Sequence, residues 1–345
     1  MKPLSPLISV SSASFYLTAF IASNIVSERL IYSALWRYLV PVTIIVGGQL
    51  GSEGKGKVAS EFVKLKNADA VVRCGGTNAG HTDNLGVIRR QLPVRSKLSI
   101  LSAGSYIDLK VLYSEMQGHT LIIDPFAVII SEVNKCNESG IKNTIGSTGS
   151  GTGGALLSRI KRDNSVVFAK DVPEVEPFVH DTVSLMRSML DSGCRLIIEG
   201  TQGFGLSLLH SQAHPFVTSR DTTASGFLSE VGLSPFDVDE VVMVIRSYPI
   251  RVAGNSGPMY NETTWGEISV IPEITSVSKR IRRVGFFDYE MVKRAIKANK
   301  PNIIVLNHLD YIEKDFRCAF VQNVEKQIGQ KINFIGADKF SITPV

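Results

Sequence analysis

Glycine gathers in several loops along the chain, and two of these clusters carry charged or imidazole side chains able to do chemistry. Residues 47–57 read GGQLGSEGKGK. Glycines let a backbone turn several N–H groups toward one point, a following helix would add its positive N-terminal end, and Lys55 and Lys57 add charge, so the loop suits phosphate. It is not a Walker A loop. Counted from Gly48 there is one residue too many before Gly54 and Lys55, and Gly56 stands where Ser or Thr should hold magnesium. Residues 74–82 read CGGTNAGHT and supply an amide, hydroxyls and an imidazole in close sequence. His81, whose ordinary pKa lies near working pH, is a candidate general acid for charge developing on a phosphorylated oxygen.

Other loops are less decided. Residues 145–154 (IGSTGSGTGG) read equally well as a flexible linker or a second phosphate site. Residues 199–205 (EGTQGFG) and 214–226 (HPFVTSRDTTASG) follow an apolar run. The tetrapeptide NHLD at 307–310 is similar to the NKxD element with which GTPases read guanine, but His308 takes the Lys position. His210 and His214 lie four apart without a helical pattern, and the four cysteines form no CxxC pair, so neither zinc nor a disulfide framework is suggested.

The elements that must hold these loops are visible as short apolar runs. VTIIV at 42–46 reads as a central parallel strand buried on both faces. Similar runs occur at 70–73, 121–123, 196–198, 241–245 and 303–306, with amphipathic helices expected at 58–66, 126–137, 175–190 and 289–298. The alternation predicts an α/β fold: one domain over residues 41–345, with a mainly parallel central sheet flanked by helices and ligands beyond the strand ends. With 44% hydrophobic and 20% charged residues in 345, the chain can bury a full core and is not disordered in bulk. A net charge of +5, with basic and acidic residues evenly mixed, suits small anionic substrates and not a nucleic-acid surface. Residues 1–40 stand apart: 3–27 carry no charge, as in a signal-peptide core or a poor membrane span, yet the window is rich in Ser. They are expected to be an extension outside the folded core, with the working protein cytoplasmic and free of any membrane.

In order along 42–340, the motifs GQLGSEGKGK, GGTNAGHT, STG at 147–149, EGTQG, HPFVTSRDTTASG, RRVGFFD and NHLD resemble the signatures of the adenylosuccinate synthetase family. The resemblance implies an enzyme that moves a nucleotide γ-phosphoryl onto O6 of a purine nucleotide and then displaces that phosphate with the amine of L-aspartate, using Mg²⁺. It implies donor-nucleotide contacts at Gly51, Glu53, Gly54, Lys55, Gly56, Lys57, Thr82, Arg282, Asn307, His308, Asp310 and Gly336. Acceptor contacts are implied at Ser52, Asn78, Ala79, Gly80, Ser147, Thr148, Gln202, Thr218 and Arg280, with Arg162 donated by the second subunit of a homodimer. Aspartate would lie against Ser276, Val277, Ser278, Arg280 and Arg282, where a guanidinium fork suits carboxylates. His81 and Ser52 fall at the catalytic positions, and Ser52 and Gly80 at the magnesium positions.

Two departures refine this. The family carries Asp where this chain has Ser52, and there it removes the N1 proton of inosinate. Ser is similar to the phage-associated branch that acts on deoxyguanylate, whose purine bears a 2-amino group; a shorter side chain leaves room for that amine. His308 replaces Lys, and the chain is compact, as in that branch, which uses ATP or dATP. The reading is therefore a ligase joining L-aspartate to C6 of dGMP, giving N6-succino-2-amino-2′-deoxyadenylate, in the host cytoplasm if phage-encoded. The alternatives are a compact adenylosuccinate synthetase using IMP and GTP, and a non-catalytic nucleotide-binding module, against which Lys55, His81 and Gln202 speak.

Overall fold

The structure, a computed structural model, describes residues 41–162, 164–275 and 280–345. Residues 1–40, and with them the expected N-terminal extension, lie outside the described residues.

The apolar runs become strands: β1 (Val42–Gly47), β2 (Ala70–Gly75), β3 (Leu98–Ile107), β4 (Leu121–Ile123), β5 (Leu196–Glu199), β6 (Val238–Arg246) and β7 (Ile303–Asn307). With β8 (Phe334–Ile335) and β9 (Thr343–Pro344) they form the path β9-β8-β7-β6-β1-β5-β2-β3-β4 of a ten-stranded sheet, to which Val128–Ile129 adds beside the far end of β3. Every pairing is parallel except β8 with β9. Central β1 is buried along its whole length, as a run without a polar face requires. Two apolar layers close over it: Ile44 and Val46 face the layer containing Phe227 and Val292, and Ile45 faces the one containing Phe62. This is the expected mixed α/β fold with a mainly parallel sheet and flanking helices.

Three elements differ from expectation. β3 is a full central strand that the sequence hides, because LSILSAGSYI carries three serines and a glycine. Inside the sheet those hydroxyls are satisfied locally, Ser105 donating to the Arg73 carbonyl (3.0 Å) and Ser102 to the Glu230 carbonyl (3.1 Å). Residues 126–137 are not one helix: Val128–Ile129 extends beside β3, and only Glu132–Asn137 is helical, started by a capping box at Ser131. Residues 175–190 likewise divide into a 3-10 turn (Pro173–Phe178) and a helix (Thr182–Asp191), because Pro177 cannot continue a helical ladder.

The loops after β1, β2, β5, β6 and β7 open on the same edge of the sheet, and that edge holds the chemistry. Among the described residues no helix is long and apolar enough to cross a membrane.

Candidate active site

One cavity of about 1690 Å³ lies over the carboxyl ends of the strands. The first glycine loop leaves β1 and enters helix α1 (Lys55–Lys66) through Gly54, whose φ of 86° only glycine adopts freely. The loop is tied from within. The buried Glu53 carboxylate accepts from the backbone N–H of Gln49 (3.1 Å) and Gly51 (2.9 Å) and pairs with Lys55 at 2.6 Å. Its side chain is therefore spent on shaping the loop, whose Leu50, Gly51, Ser52, Gly54, Lys55, Gly56 and Lys57 line the cavity. A Cβ on Gly56 would sit 2.5 Å from the Thr82 carbonyl, so a Walker-type Ser or Thr has no room there. Lys57 turns to the Asp338 carbonyl at 2.7 Å.

The second loop brings Asn78, Ala79, Gly80, His81 and Thr82 to the same cavity. Arg73, buried in β2, donates to the Ala79 carbonyl (3.2 Å) and the Leu92 carbonyl (2.8 Å), which fixes the loop from below. The Nδ1 of His81 makes a short hydrogen bond to Glu199 at the end of β5, and the other Glu199 oxygen accepts from the Val94 N–H at 2.8 Å. Burial, then the charge of Arg73, pushes the imidazole down to about 4. Burial opposes ionisation of Glu199, but the His81 hydrogen bond and charge and the Arg73 charge prevail and hold its carboxyl at about 2. The result is an imidazole fixed in orientation, with Nε2 as the ring nitrogen left for a ligand. Glu199 and Arg73 were not among the expected site residues; the available signal was a charged residue at the end of, or inside, an apolar strand.

Ser52 is exposed to the cavity in the left-handed region at φ 59°. Asp and Asn favour that conformation more than Ser does, and it is held by Arg246, whose Nη1 donates to the Ser52 carbonyl at 2.8 Å. Arg246 also pairs closely with Glu273, which accepts from the Tyr311 hydroxyl at 2.7 Å. Burial alone would raise the Glu273 carboxyl; the charges of Arg246 and His308 lower it to about 2.

Residues 145–154 prove to be neither a linker nor an open phosphate site at their helical end. They lead into helix α2 (Thr152–Lys161), and the buried Glu138 carboxylate already accepts from the N–H of Gly151 (2.9 Å), Gly153 (a short contact) and Gly154 (3.1 Å). Ser147 and Thr148 face the cavity, as do Gln202, Thr218, Arg280 and Arg282. Gln202 Oε1 and Arg282 Nε are buried without a protein partner, as groups awaiting a ligand would be. His308 and Asp310 line the cavity too, Asp310 exposed. Asn307 and Gly336 do not: the Asn307 amide donates to the Glu53 carbonyl at 2.8 Å, behind the phosphate loop. Arg162 is exposed at the end of α2, outside the cavity. Ser276, Val277 and Ser278 lie outside the described residues.

Among the described residues no cluster of three or more His, Cys, Asp or Glu could hold a metal. The cavity offers the Ser52 hydroxyl and the backbone of Gly80, a donor set that fits Mg²⁺ arriving on nucleotide phosphates and not a cage made by protein alone.

Fold and cavity together give an α/β protein whose glycine-rich loops and lysines suit phosphorylated ligands. Comparison narrows the class. The sequence profile of adenylosuccinate synthetase matches residues 44–169 and 164–317. The adenylosuccinate synthetase of Methanococcus vannielii is 37% identical over 329 residues, covering 85% of this chain and 95% of that protein. That of Methanocaldococcus jannaschii is 37% identical over 295 residues, covering 80% and 85%. Among solved structures, the cyanophage S-2L succinoaminodeoxyadenylate synthetase bound to dGMP and dATP as an energy donor is similar with a TM-score of 0.78 at 26% identity, covering 89% of this chain and 95% of its own. Fully ligated adenylosuccinate synthetase from Plasmodium falciparum, with a TM-score of 0.78 at 19% identity over 88% of this chain and all of its own, supports the fold. The chain belongs to the adenylosuccinate synthetase family, and it is a ligase that forms a C–N bond in purine nucleotide metabolism.

Proposed function

We propose that this ligase joins L-aspartate to C6 of dGMP at the expense of ATP or dATP, giving N6-succino-2-amino-2′-deoxyadenylate for 2-aminoadenine DNA, and that it works in the cytoplasm. The observation that carries the reading is Ser52: a neutral hydroxyl faces the cavity on a left-handed backbone suited to the Asp that the family pattern leads one to expect. The shorter side chain leaves space for an exocyclic amine beside N1. The likeness to the cyanophage enzyme solved with dGMP supports the same choice.

In the first step the bond between the donor γ-phosphorus and its bridging oxygen breaks, O6 takes the phosphoryl group, and N1 gives up its proton to water or to a phosphoryl oxygen, since the Ser52 hydroxyl is no base. In the second the aspartate amine attacks C6, the C6–O bond breaks and phosphate departs. His81, held through Nδ1 by Glu199, would present a protonated Nε2 to O6 and stabilise charge there. Lys55 and the loop amides would hold the transferred phosphoryl group, while Gln202, Thr148 and Thr218 orient the acceptor and Arg280 and Arg282 take its phosphate or the aspartate carboxylates. Ser52 and Gly80 would hold Mg²⁺, which neutralises phosphate charge when bound. Arg162, exposed and outside its own cavity, would serve the acceptor phosphate of a second copy in a homodimer.

A second reading has its own support. The archaeal relatives at 33–37% identity are adenylosuccinate synthetases, and the exposed Asp310 carboxylate suits the N–H edge of guanine, which adenine lacks. It makes the chain an IMP ligase driven by GTP. Mass spectrometry of the product decides: with dGMP, aspartate and ATP or dATP, the expected product has the mass of dGMP plus aspartate less one water. Adduct formation from IMP alone would move the assignment to the second reading.

A further inference from the structure

The segment after β8 contributes a residue with no part in the scheme above. Asp338 folds it into a tight turn: its Oδ1 accepts from the N–H of Phe340 and of Ser341, both at 2.6 Å, and its Oδ2 from the Ser341 hydroxyl at 2.6 Å. The turn is anchored on two sides. Its Asp338 carbonyl takes the Lys57 ammonium at 2.7 Å, and Leu309 N donates to the Gly336 carbonyl at 3.0 Å, so it is seated between the phosphate loop and residues 308–310. The outcome is a phenylalanine 59% exposed on the cavity wall, alongside His308 and Asp310. An exposed Phe forgoes the burial free energy available in a core, and here the hydrogen bonds accepted by the Asp338 carboxylate set the turn that carries it.

We propose that Phe340 is a donor-specificity residue that stacks on the base of the donor nucleotide while Asp310 and His308 meet its polar edge. This rests on the donor site proposed above. Phosphates at Gly51, Gly54 and Lys55 place the rest of the nucleotide along the wall that Lys57 and Asp338 bridge, and a flat heteroaromatic base at its end meets the one aromatic side chain of that turn. Stacking tolerates any base with a π-face, so Phe340 selects for ring area and leaves the choice between adenine and guanine to the polar edge.

The test measures donor affinity directly, by calorimetric titration of the whole protein with a non-hydrolysable nucleoside triphosphate and Mg²⁺, and also the three Michaelis constants. In Phe340→Ala the donor Kd and KM should rise at least about fivefold, the lower end for base stacking; the acceptor and aspartate KM should stay within about twofold, and Phe340→Trp should restore donor affinity. The loss should be smaller for pyrimidine than for purine triphosphates. Unchanged donor binding in Phe340→Ala, or a rise shared by the acceptor and aspartate KM, overturns the proposal. Failure of the wild-type protein to bind any triphosphate would overturn the donor site itself, and with it this inference.

Discussion

Burial and the neighbouring Arg73 hold the His81 imidazole at about 4 in the free enzyme, so it is neutral at pH 7. It becomes an acid only when something raises that value, and a purine nucleotide brings phosphates to do so. Because the imidazole is unprotonated before binding and protonated after, binding should take up a proton and tighten as pH falls from 7 toward 5. Calorimetry in buffers of different ionisation enthalpy should show this uptake in the wild type and a smaller one in His81→Asn. Equal uptake in both would remove His81 from the acid's role. The same substitution should lower kcat roughly a hundredfold or more, read in a phosphate-release assay. At Ser52 the expectation concerns choice of purine: Ser52→Asp should depress kcat/KM for dGMP by about 1–3 kcal/mol through crowding and mispaired polar groups. His81 and Ser52 were legible in the sequence as cavity-lining residues because each sits in a glycine-rich loop directly after an apolar strand. Glu199 and Arg73 were not, since each is one charge in an apolar strand and only the fold shows what it faces.

At the level of elements, the phosphate loop and the strands that end in it were readable because a run such as VTIIV has one stable home, between two layers. β3 was missed because its serines find partners that sequence cannot show, and the loop at 145–154 stayed ambiguous because what decides it, Glu138, comes from the preceding turn. That carboxylate takes the place an anion would occupy at the start of α2 and anchors the loop whose Ser147 and Thr148 line the cavity. Glu138→Ala should lower stability by about 1–2 kcal/mol, the cost of a lost cap with buried amides left unpaired, and raise the acceptor KM more than it changes kcat; Glu138→Gln should retain part of both. Denaturant unfolding and steady-state kinetics check it, and an unchanged acceptor KM would separate this helix from the site.

Across the whole molecule, five strand-end loops meet over one cavity, yet Arg162 stands outside it. Under the homodimer reading, each site is complete only with a second copy. Arg162→Ala and His81→Asn should each be nearly inactive alone and regain activity when mixed under subunit exchange, because one of the two heterodimer sites keeps both groups. No recovery on mixing would return Arg162 to the surface. Which purine this ligase takes is read from initial rates of phosphate release with aspartate, crossing dGMP, GMP and IMP with ATP, dATP and GTP. The highest kcat/KM is expected for dGMP with ATP or dATP. A preference for IMP with GTP would contradict it.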